Sequence, residues 1–288
     1  MAGMTAADAA PDLNAPDLNA AAARAVLFRD LHQPGAPLLM PNPWDAGSAR
    51  VLASLGFAAL ATTSSGFAGT LGRTDGRVTL GEALAHAAVI AAAADLPVSA
   101  DFENGFADEP AGVAQNVARA AATGLAGCSI EDFTGRADDP IYAAGLAAER
   151  VAAAAQAAHA GPVRLVLTAR AENYLHGRPD LGDTIARLQR YQQAGADVLY
   201  APGLTEPDDI RAVVSAVDRP VNVLAMPAAP PVAALAELGV ARVSVGGAFA
   251  WAALGALAAA GLELLESGTY GYLSQAAAGR RVAGPAFR

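Results

Sequence analysis

The sequence predicts a single α/β domain of the TIM type, a (β/α)8 barrel with a C-terminal helical extension. Three observations carry this. Eight short strand-like runs alternate with Ala- and Leu-rich helical stretches between residues 38 and 262, the syntax of a parallel sheet covered by helices. Several units repeat helix, glycine, strand: Ser54-Leu55-Gly56-Phe57, Ala122-Thr123-Gly124-Leu125, Gln193-Ala194-Gly195-Ala196 and Glu237-Leu238-Gly239-Val240, where glycine suits the left-handed end of a helix. No linker-like break divides residues 25–260, and 288 residues suffice for one large core.

The elements follow in order. Residues 1–20 contain Ala-Pro-Asp-Leu-Asn twice in tandem and read as a disordered, Pro-bearing tail; the domain is expected to span 21–288. A first helix is expected from near Ala21 to before Gln33-Pro34-Gly35. Strands are expected at 38–40, 58–63, 98–102, 127–131, 163–169, 197–200, 221–225 and 242–245. Beyond Gly261 the pattern weakens, and Tyr270, Tyr272 and Leu273 suggest helices packed on a partner subunit.

Composition narrows the function classes. Net charge is −9 and no basic stripe exists, which argues against nucleic acid. All 19 basic residues are Arg, so Schiff-base lysine chemistry and a phosphate-loop lysine are excluded. One Cys excludes an intramolecular disulfide and a Cys-based zinc site and fits a cytoplasmic protein. The Ala runs are too short and interrupted for a membrane span, and the first residues lack the pattern of a signal peptide.

In a barrel, function belongs at the carboxyl ends of the strands. Strand three ends in Asp101-Phe102-Glu103-Asn104-Gly105. Alternation turns Asp101 and Glu103 one way and Phe102 the other. Two converging carboxylates repel unless a cation sits between them, and Mg2+ needs few protein oxygens because it keeps its waters; a solvated acidic loop is the plainer reading. Strand four ends in Glu131, sharing a face with Ser129 and Gly127, while Cys128 turns to the helix layer as a structural thiol. Strand five ends in Arg170, able to clamp a carboxylate or to pair with Glu172 or another barrel acid. Strand two ends in Ser64-Ser65-Gly66, a hydroxyl-rich turn suited to an anion, or an ordinary turn. Asp75 reads as a turn residue or as a partner of metal-bound water. Asp45 caps the next helix, and Trp44 walls a pocket or fills a gap. Gly246-Gly247 offers a weak phosphate site. His32, His86, His159 and His176 are assigned to surface or helix packing.

Taken in order, these residues resemble the isocitrate lyase/phosphoenolpyruvate mutase superfamily over roughly residues 25–260. Pro43-Trp44-Asp45-Ala46-Gly47-Ser48-Ala49 is similar to its first-strand motif and Thr63-Ser64-Ser65-Gly66 to its substrate-carboxylate turn. Asp101-x-Glu103-x-Gly105 is similar to its D-x-D-x-G metal motif, with Glu in place of the second Asp. Asp75, Glu131 and Arg170 fall where that family has acids near the metal and a strand-five Arg, and Asn222 falls where it has a polar substrate contact. The resemblance implies a Mg2+-dependent lyase cleaving a C–C or P–C bond of a small 2-oxo or 2-hydroxy carboxylate through an enolate-like intermediate. It implies Asp101, Glu103 and Glu131 at the metal, Arg170 and Asp75 in catalysis, and Trp44, Ser64, Ser65, Gly66 and Asn222 at the substrate. It also implies a homodimer or homotetramer that exchanges a helix.

The loop after strand four, residues 133–140, lacks the Cys, Lys and His of isocitrate and methylisocitrate lyases, which argues against those activities. Strand six ends in Tyr200-Ala201-Pro202-Gly203, where relatives present an acid or His, so the acid/base is unassigned. Two alternatives are a catalytically silent carboxylate-binding protein and a ketopantoate-forming-type barrel transferase.

Overall fold

A computed structural model describes residues 17–288. The expected tail therefore lies largely outside the described residues, but its last part is corrected. Helix α1 (Leu18–Asp30) begins three residues earlier than Ala21, because the Asp17 carboxylate accepts from the backbone N–H groups of Asn19 and Ala20 and caps it.

Eight parallel strands follow: β1 (Leu38–Met40), β2 (Leu60–Ala61), β3 (Val98–Asp101), β4 (Gly127–Glu131), β5 (Val166–Arg170), β6 (Val198–Tyr200), β7 (Val221–Leu224) and β8 (Arg242–Ser244). They are ordered β1-β8-β7-β6-β5-β4-β3-β2. The remaining gap between β1 and β2 is bridged where the Ala61 N–H reaches the Pro41 carbonyl at 3.0 Å, so the (β/α)8 barrel is nearly closed. Between strands lie α2 (Ala46–Ser54), α3 (Ser64–Thr70), α4 (Leu80–Ala93), α5 (Pro110–Ala121), α6 (Ala144–Ala160), α7 (Leu181–Gln193), α8 (Pro207–Ala216) and α9 (Val232–Glu237). Helices α10 (Ala248–Leu262) and α11 (Leu273–Ala286), joined through a π-helical turn at Glu263–Ser267, form the extension.

The strand ends differ from expectation by one to three residues, except at β1 and β4. Strand β2 is the shortest: Thr63 caps α3 and ends the strand early. Gly56, Gly124, Gly195 and Gly239 all have positive φ, from 84° to 105°, the left-handed stops expected of them.

The apolar core fills the layer between strands and helices, including Cys128, Ile130, Leu167, Leu199 and Phe102. Phe28 of α1 reaches Gly127: a Cβ there would stand 2.8 Å from Phe28 Cε1 and 2.7 Å from the Val166 carbonyl. Only glycine admits that approach.

Inside the barrel the pattern reverses. Inward positions carry Ser99, Ser129, Thr168, Asn222, Arg242 and Ser244, all buried. A polar barrel interior needs internal hydrogen bonds or a polar ligand.

The extension is packed little. Ala248–Ser267 is a continuous 20-residue helical stretch whose most apolar 18 residues have a mean hydropathy of 1.7 and are 6% buried, so it is long and apolar enough to cross a membrane by length and composition alone. The apolar character of this stretch comes from its Leu, Phe and Ala together and not from Ala runs alone. Trp251, Leu257 and Leu265 stand exposed on it.

Candidate active site

A cavity of about 190 Å³ opens at the carboxyl ends of the strands and is lined by Ser64, Ser65, Asp75, Asp101, Arg170 and Asn222, with Tyr200, Arg242 and Ser244 among the others. Arg170 organises it. Its Nε donates to Glu172 Oε1 at 2.7 Å and its Nη1 to Asp101 Oδ1 at 2.7 Å, while Nη2 lies 3.2 Å from Glu131 Oε2. Asp101 and Glu131 do converge, but on one guanidinium. Burial opposes the charge on Arg170, yet Glu172, Glu131 and Asp101 together hold its pKa well above the ordinary value. Glu131, buried and only partly relieved by Arg170, has its pKa pushed well up.

Asp101 is engaged on both oxygens. Oδ2 accepts from the Ser64 backbone N–H at 3.1 Å, and the Asp101 N–H donates to Thr62 Oγ1 at 2.9 Å. Glu103 sits just past the strand in a left-handed conformation, φ 44°. Burial and the negative charges of Asp101 and Asp75 raise its pKa to about 8. Asp75 lies on an exposed loop with its carboxylate at the cavity rim. Burial of that carboxylate and the charge of Asp101 raise its pKa as well.

These acids fit a hard cation in donor type. Burial and, after it, mutual repulsion raise the pKa of Glu103 and Asp75, and a divalent cation relieves that repulsion. A cage of three direct ligands is not what the geometry offers: no group of three or more metal-ligating side chains converges at binding distance among the described residues. Arg170 separates Glu131 from the rim acids. The set suits a Mg2+ held by Asp101 and approached by Glu103, with waters completing the shell.

Several sequence-derived assignments take a different form. The Gly66 N–H is spent on Thr63 Oγ1 at 3.2 Å, and a Cβ at Gly66 would lie 2.6 Å from Thr63 Cγ2. Gly66 is thus a packing position at the capped start of α3. With Ser64 N–H given to Asp101, the hydroxyls of Ser64 and Ser65 are what the turn offers; Ser65 Oγ also accepts from the Trp251 indole at 3.1 Å. Trp44 stands outside the cavity, in a neighbouring apolar groove with Phe249 and Phe287, because Asp45 caps α2 through Ser48 and turns the chain away. Asn222 spends Nδ2 on Ser244 Oγ and Oδ1 on Arg242 Nε, both at 2.9 Å, so it orients Arg242. The Gly246 N–H is taken by Asn42 Oδ1 at 2.9 Å, which weakens the Gly246-Gly247 phosphate reading.

Other residues escaped the sequence reading. Asn42 ties three strand ends together: Oδ1 accepts from Val245 and Gly246, and Nδ2 donates to the Thr62 carbonyl. Arg150, buried on α6, donates to the carbonyls of Asn104, Ala107 and Asp108 and pins the loop behind Glu103. Buried Asp132 accepts from the Glu172 N–H and from Tyr191 and Arg187, holding the segment that carries Glu172. The Pro-Asn-Pro and Glu-Asp pairs were visible signals for two of these, but their partners lie dozens to hundreds of residues away. His32, assigned to surface or helix packing, is buried against Phe28 of α1 and also reaches the barrel floor beside Arg242. Cys128 is wholly buried with its thiol pKa pushed up to about 12, a structural thiol as expected.

The family model described as phosphoenolpyruvate phosphomutase matches residues 28–265. A Burkholderia cenocepacia J2315 protein of known structure, provisionally described as a lyase/mutase, is 53% identical, with 92% of this chain and 95% of that one covered and a TM-score of 0.88. The structure of 2,3-dimethylmalate lyase, a member of the phosphoenolpyruvate mutase/isocitrate lyase superfamily, is 27% identical, with 88% and 89% covered and a TM-score of 0.77. An uncharacterised protein of Mycobacterium tuberculosis H37Rv is 38% identical over 221 residues, 76% of this chain and 81% of that one.

Proposed function

Because the chain belongs to the phosphoenolpyruvate phosphomutase family, we propose that it is a Mg2+-dependent lyase that cleaves a C–C or P–C bond in a small 2-oxo or 2-hydroxy carboxylate. The observation that carries this reading is the convergence of Asp101, Asp75 and Arg170 with two serine hydroxyls around one cavity at the strand ends. The 2,3-dimethylmalate lyase likeness supports C–C cleavage as the reaction class.

The residues divide the work. Ser64 and Ser65 hydroxyls hold the substrate carboxylate at the start of α3. Asp101 positions Arg170 through the 2.7 Å ion pair. In a 2-oxo acid the bond from C3 to its distal carboxylate or phosphonate breaks, CO2 leaving or water taking the phosphoryl group, and the pair left on C3 delocalises onto the C2 oxygen, where the Arg170 N–H groups not held by acids stabilise it; in a 2-hydroxy acid the C2 hydroxyl gives up its proton, C2=O forms, and the pair of the broken C2–C3 bond goes to C3 of the departing fragment. Mg2+, when bound beside Asp101 and Glu103, supplies Lewis-acid polarisation of the C1 and C2 oxygens. Asp75, at the cavity rim with its pKa raised by burial and the charge of Asp101, is the acid assigned to deliver a proton to the carbon left behind. Glu131 and Glu172 fix Arg170 from below and do not meet the substrate.

The exposed apolar extension is part of the same proposal: a second copy of the chain covers α10, giving a homodimer or a homotetramer built as a dimer of dimers. The Trp251 indole already joins α10 to Ser65 at the cavity mouth, so covering this helix also steadies the substrate turn.

The test is a panel of 2-oxo and 2-hydroxy acids, including oxaloacetate, substituted malates and phosphonopyruvate, assayed for pyruvate or other 2-oxo product with and without Mg2+. A Mg2+-dependent product is expected, and Asp101→Ala is expected to remove at least 10²-fold of the rate, the loss typical of an electrostatic contributor in the active site. Unchanged turnover in that variant removes the assignment.

A further inference from the structure

Helix α10 reaches back to the cavity through one side chain. The Trp251 indole Nε1 donates to Ser65 Oγ at 3.1 Å. The contact is built on both sides. A Cβ at Gly247 would stand 2.9 Å from Ser65 Oγ and 2.9 Å from Trp251 Nε1, so a larger residue there would push the two atoms apart. Gly247 and Ser65 both line the cavity, which puts this hydrogen bond at the cavity wall. The far edge of the indole lies over Gly69, where a Cβ would be 3.9 Å from Cη2, so the ring runs along one turn of α3. A Cβ at Gly66 would lie 3.1 Å from the Ala250 Cβ, so the first turns of α10 and α3 pack together. Trp251 is nevertheless 53% exposed, and burial in the core does not account for its place.

The polarity of the contact is fixed by chemistry. An indole N–H only donates, so Ser65 Oγ accepts. A serine hydroxyl has one proton and two acceptor sites, and among the described residues Ser65 Oγ has no second hydrogen-bond partner. The rest of the turn is spent: the Ser64 N–H goes to Asp101 Oδ2 and the Gly66 N–H to Thr63 Oγ1. A free serine rotor offers a lone pair as readily as its proton. With one lone pair held by the indole, the balance shifts to the proton, and a hydrogen bond accepted at the oxygen makes that proton the stronger donor.

We propose that Trp251 is a positioning residue for the substrate: by holding one lone pair of Ser65 Oγ, it commits that hydroxyl to donating its proton to an anionic oxygen of a small carboxylate. The inference rests on the proposed function for the place of that carboxylate. The indole itself does not touch the substrate; it acts only through Ser65.

The test is a double-mutant cycle on the binding of oxalate, a carboxylate with a second oxygen source on the adjacent carbon, measured by calorimetry in Mg2+. Trp251→Phe keeps an aromatic ring and removes the N–H. It is expected to weaken oxalate binding by about threefold to tenfold, the worth of one net hydrogen bond. Ser65→Ala is expected to weaken it at least as much. Trp251→Phe added to Ser65→Ala is expected to cost less than about twofold more, because residues that act through one another are not additive. A scaffold role would give the same loss in both backgrounds. A wild-type crystal structure with oxalate and Mg2+ needs no variant to fold, and it is expected to place Ser65 Oγ within about 3 Å of both the indole Nε1 and an oxalate oxygen. Trp251→Phe binding within about twofold of wild type, an undiminished loss in the Ser65→Ala background, or an indole turned away from Ser65 in the complex overturns the Trp251 assignment and leaves the proposed function standing. Wild-type affinity in Ser65→Ala, an oxalate seated away from Ser65, or no oxalate binding at all overturns both the Trp251 assignment and the substrate role given to Ser65.

Discussion

Arg170 shows how one side chain sets the state of its neighbours. It pairs with Asp101, Glu131 and Glu172 at once, with Glu172 almost wholly buried. Removing a partner from such a group strands buried charge. Arg170→Met is expected to destabilise the protein by about 3–5 kcal/mol, read from urea unfolding at pH 7, and to lose Mg2+-dependent turnover; a change within ~0.5 kcal/mol would show that the acids simply take up protons. Glu103 makes a prediction with a defined sign. Its folded pKa is about 8 against 4.5 for the free group. Between those values the metal-free fold keeps a proton that the unfolded chain has lost, so this group's contribution to stability falls as pH rises through that window. Mg2+ binds the ionised form. The Mg2+ affinity is therefore expected to climb by up to about tenfold per pH unit below pH 8 and to level off above it, with a matching rise in the Mg2+-induced increase in Tm. A flat profile from pH 6 to 8.5 would remove Glu103 from the metal.

Among the elements, the seam between β1, β2 and β8 is the most consequential. Strand β2 has two residues in the sheet, too few to close the barrel by ladder hydrogen bonds alone. Asn42 supplies three bonds across the seam, to Thr62, Val245 and Gly246. Each buried hydrogen bond contributes about 1 kcal/mol net, more when a partner is left unsatisfied. Asn42→Ala is expected to cost about 2–4 kcal/mol and to raise hydrogen exchange at the ends of β2 and β8 while sparing β4 and β5. Loss spread evenly over all strands would show that closure does not depend on this residue. The loop elements at the mouth are held from outside in the same way, by Arg150 behind the β3 turn and by Asp132 behind the β5 turn. The 133–140 loop is hooked to itself by the Phe133–Ile141 bridge and contributes nothing to the cavity lining.

At the scale of the molecule, the barrel hides its polar groups inside and shows apolar ones on the extension. Leu265 is 82% exposed and Leu257 67%. A contiguous exposed apolar face of this kind marks an interaction surface, and the proposed cover is a second copy of the chain. Leu257→Glu with Leu265→Glu is expected to convert the assembled form to a monomer in sedimentation velocity, with lower turnover because Trp251 and Ser65 share that helix. A wild-type protein that sediments as a monomer, or that partitions onto neutral lipid vesicles, would sink this cover.

The local signals in the sequence determined the barrel's alternating order, the left-handed glycine stops at Gly56, Gly124, Gly195 and Gly239, the Asp45 cap and the outward turn of Cys128, because each depends on neighbours within a few residues and on strict two-residue alternation. The acids Asp101, Glu103 and Glu131 were readable as strand-end groups for the same reason. Only the tertiary structure decided that Arg170 stands between them, that Gly66 and Trp44 serve packing, that Asn42 closes the seam, and that His32 and Arg242, 210 residues apart, meet under the cavity. Those outcomes follow from barrel closure, which brings β1 beside β8 and sets strand ends face to face. Periodicity along a chain carries no record of which side chains will share a proton, a cation or a void once the ring is shut.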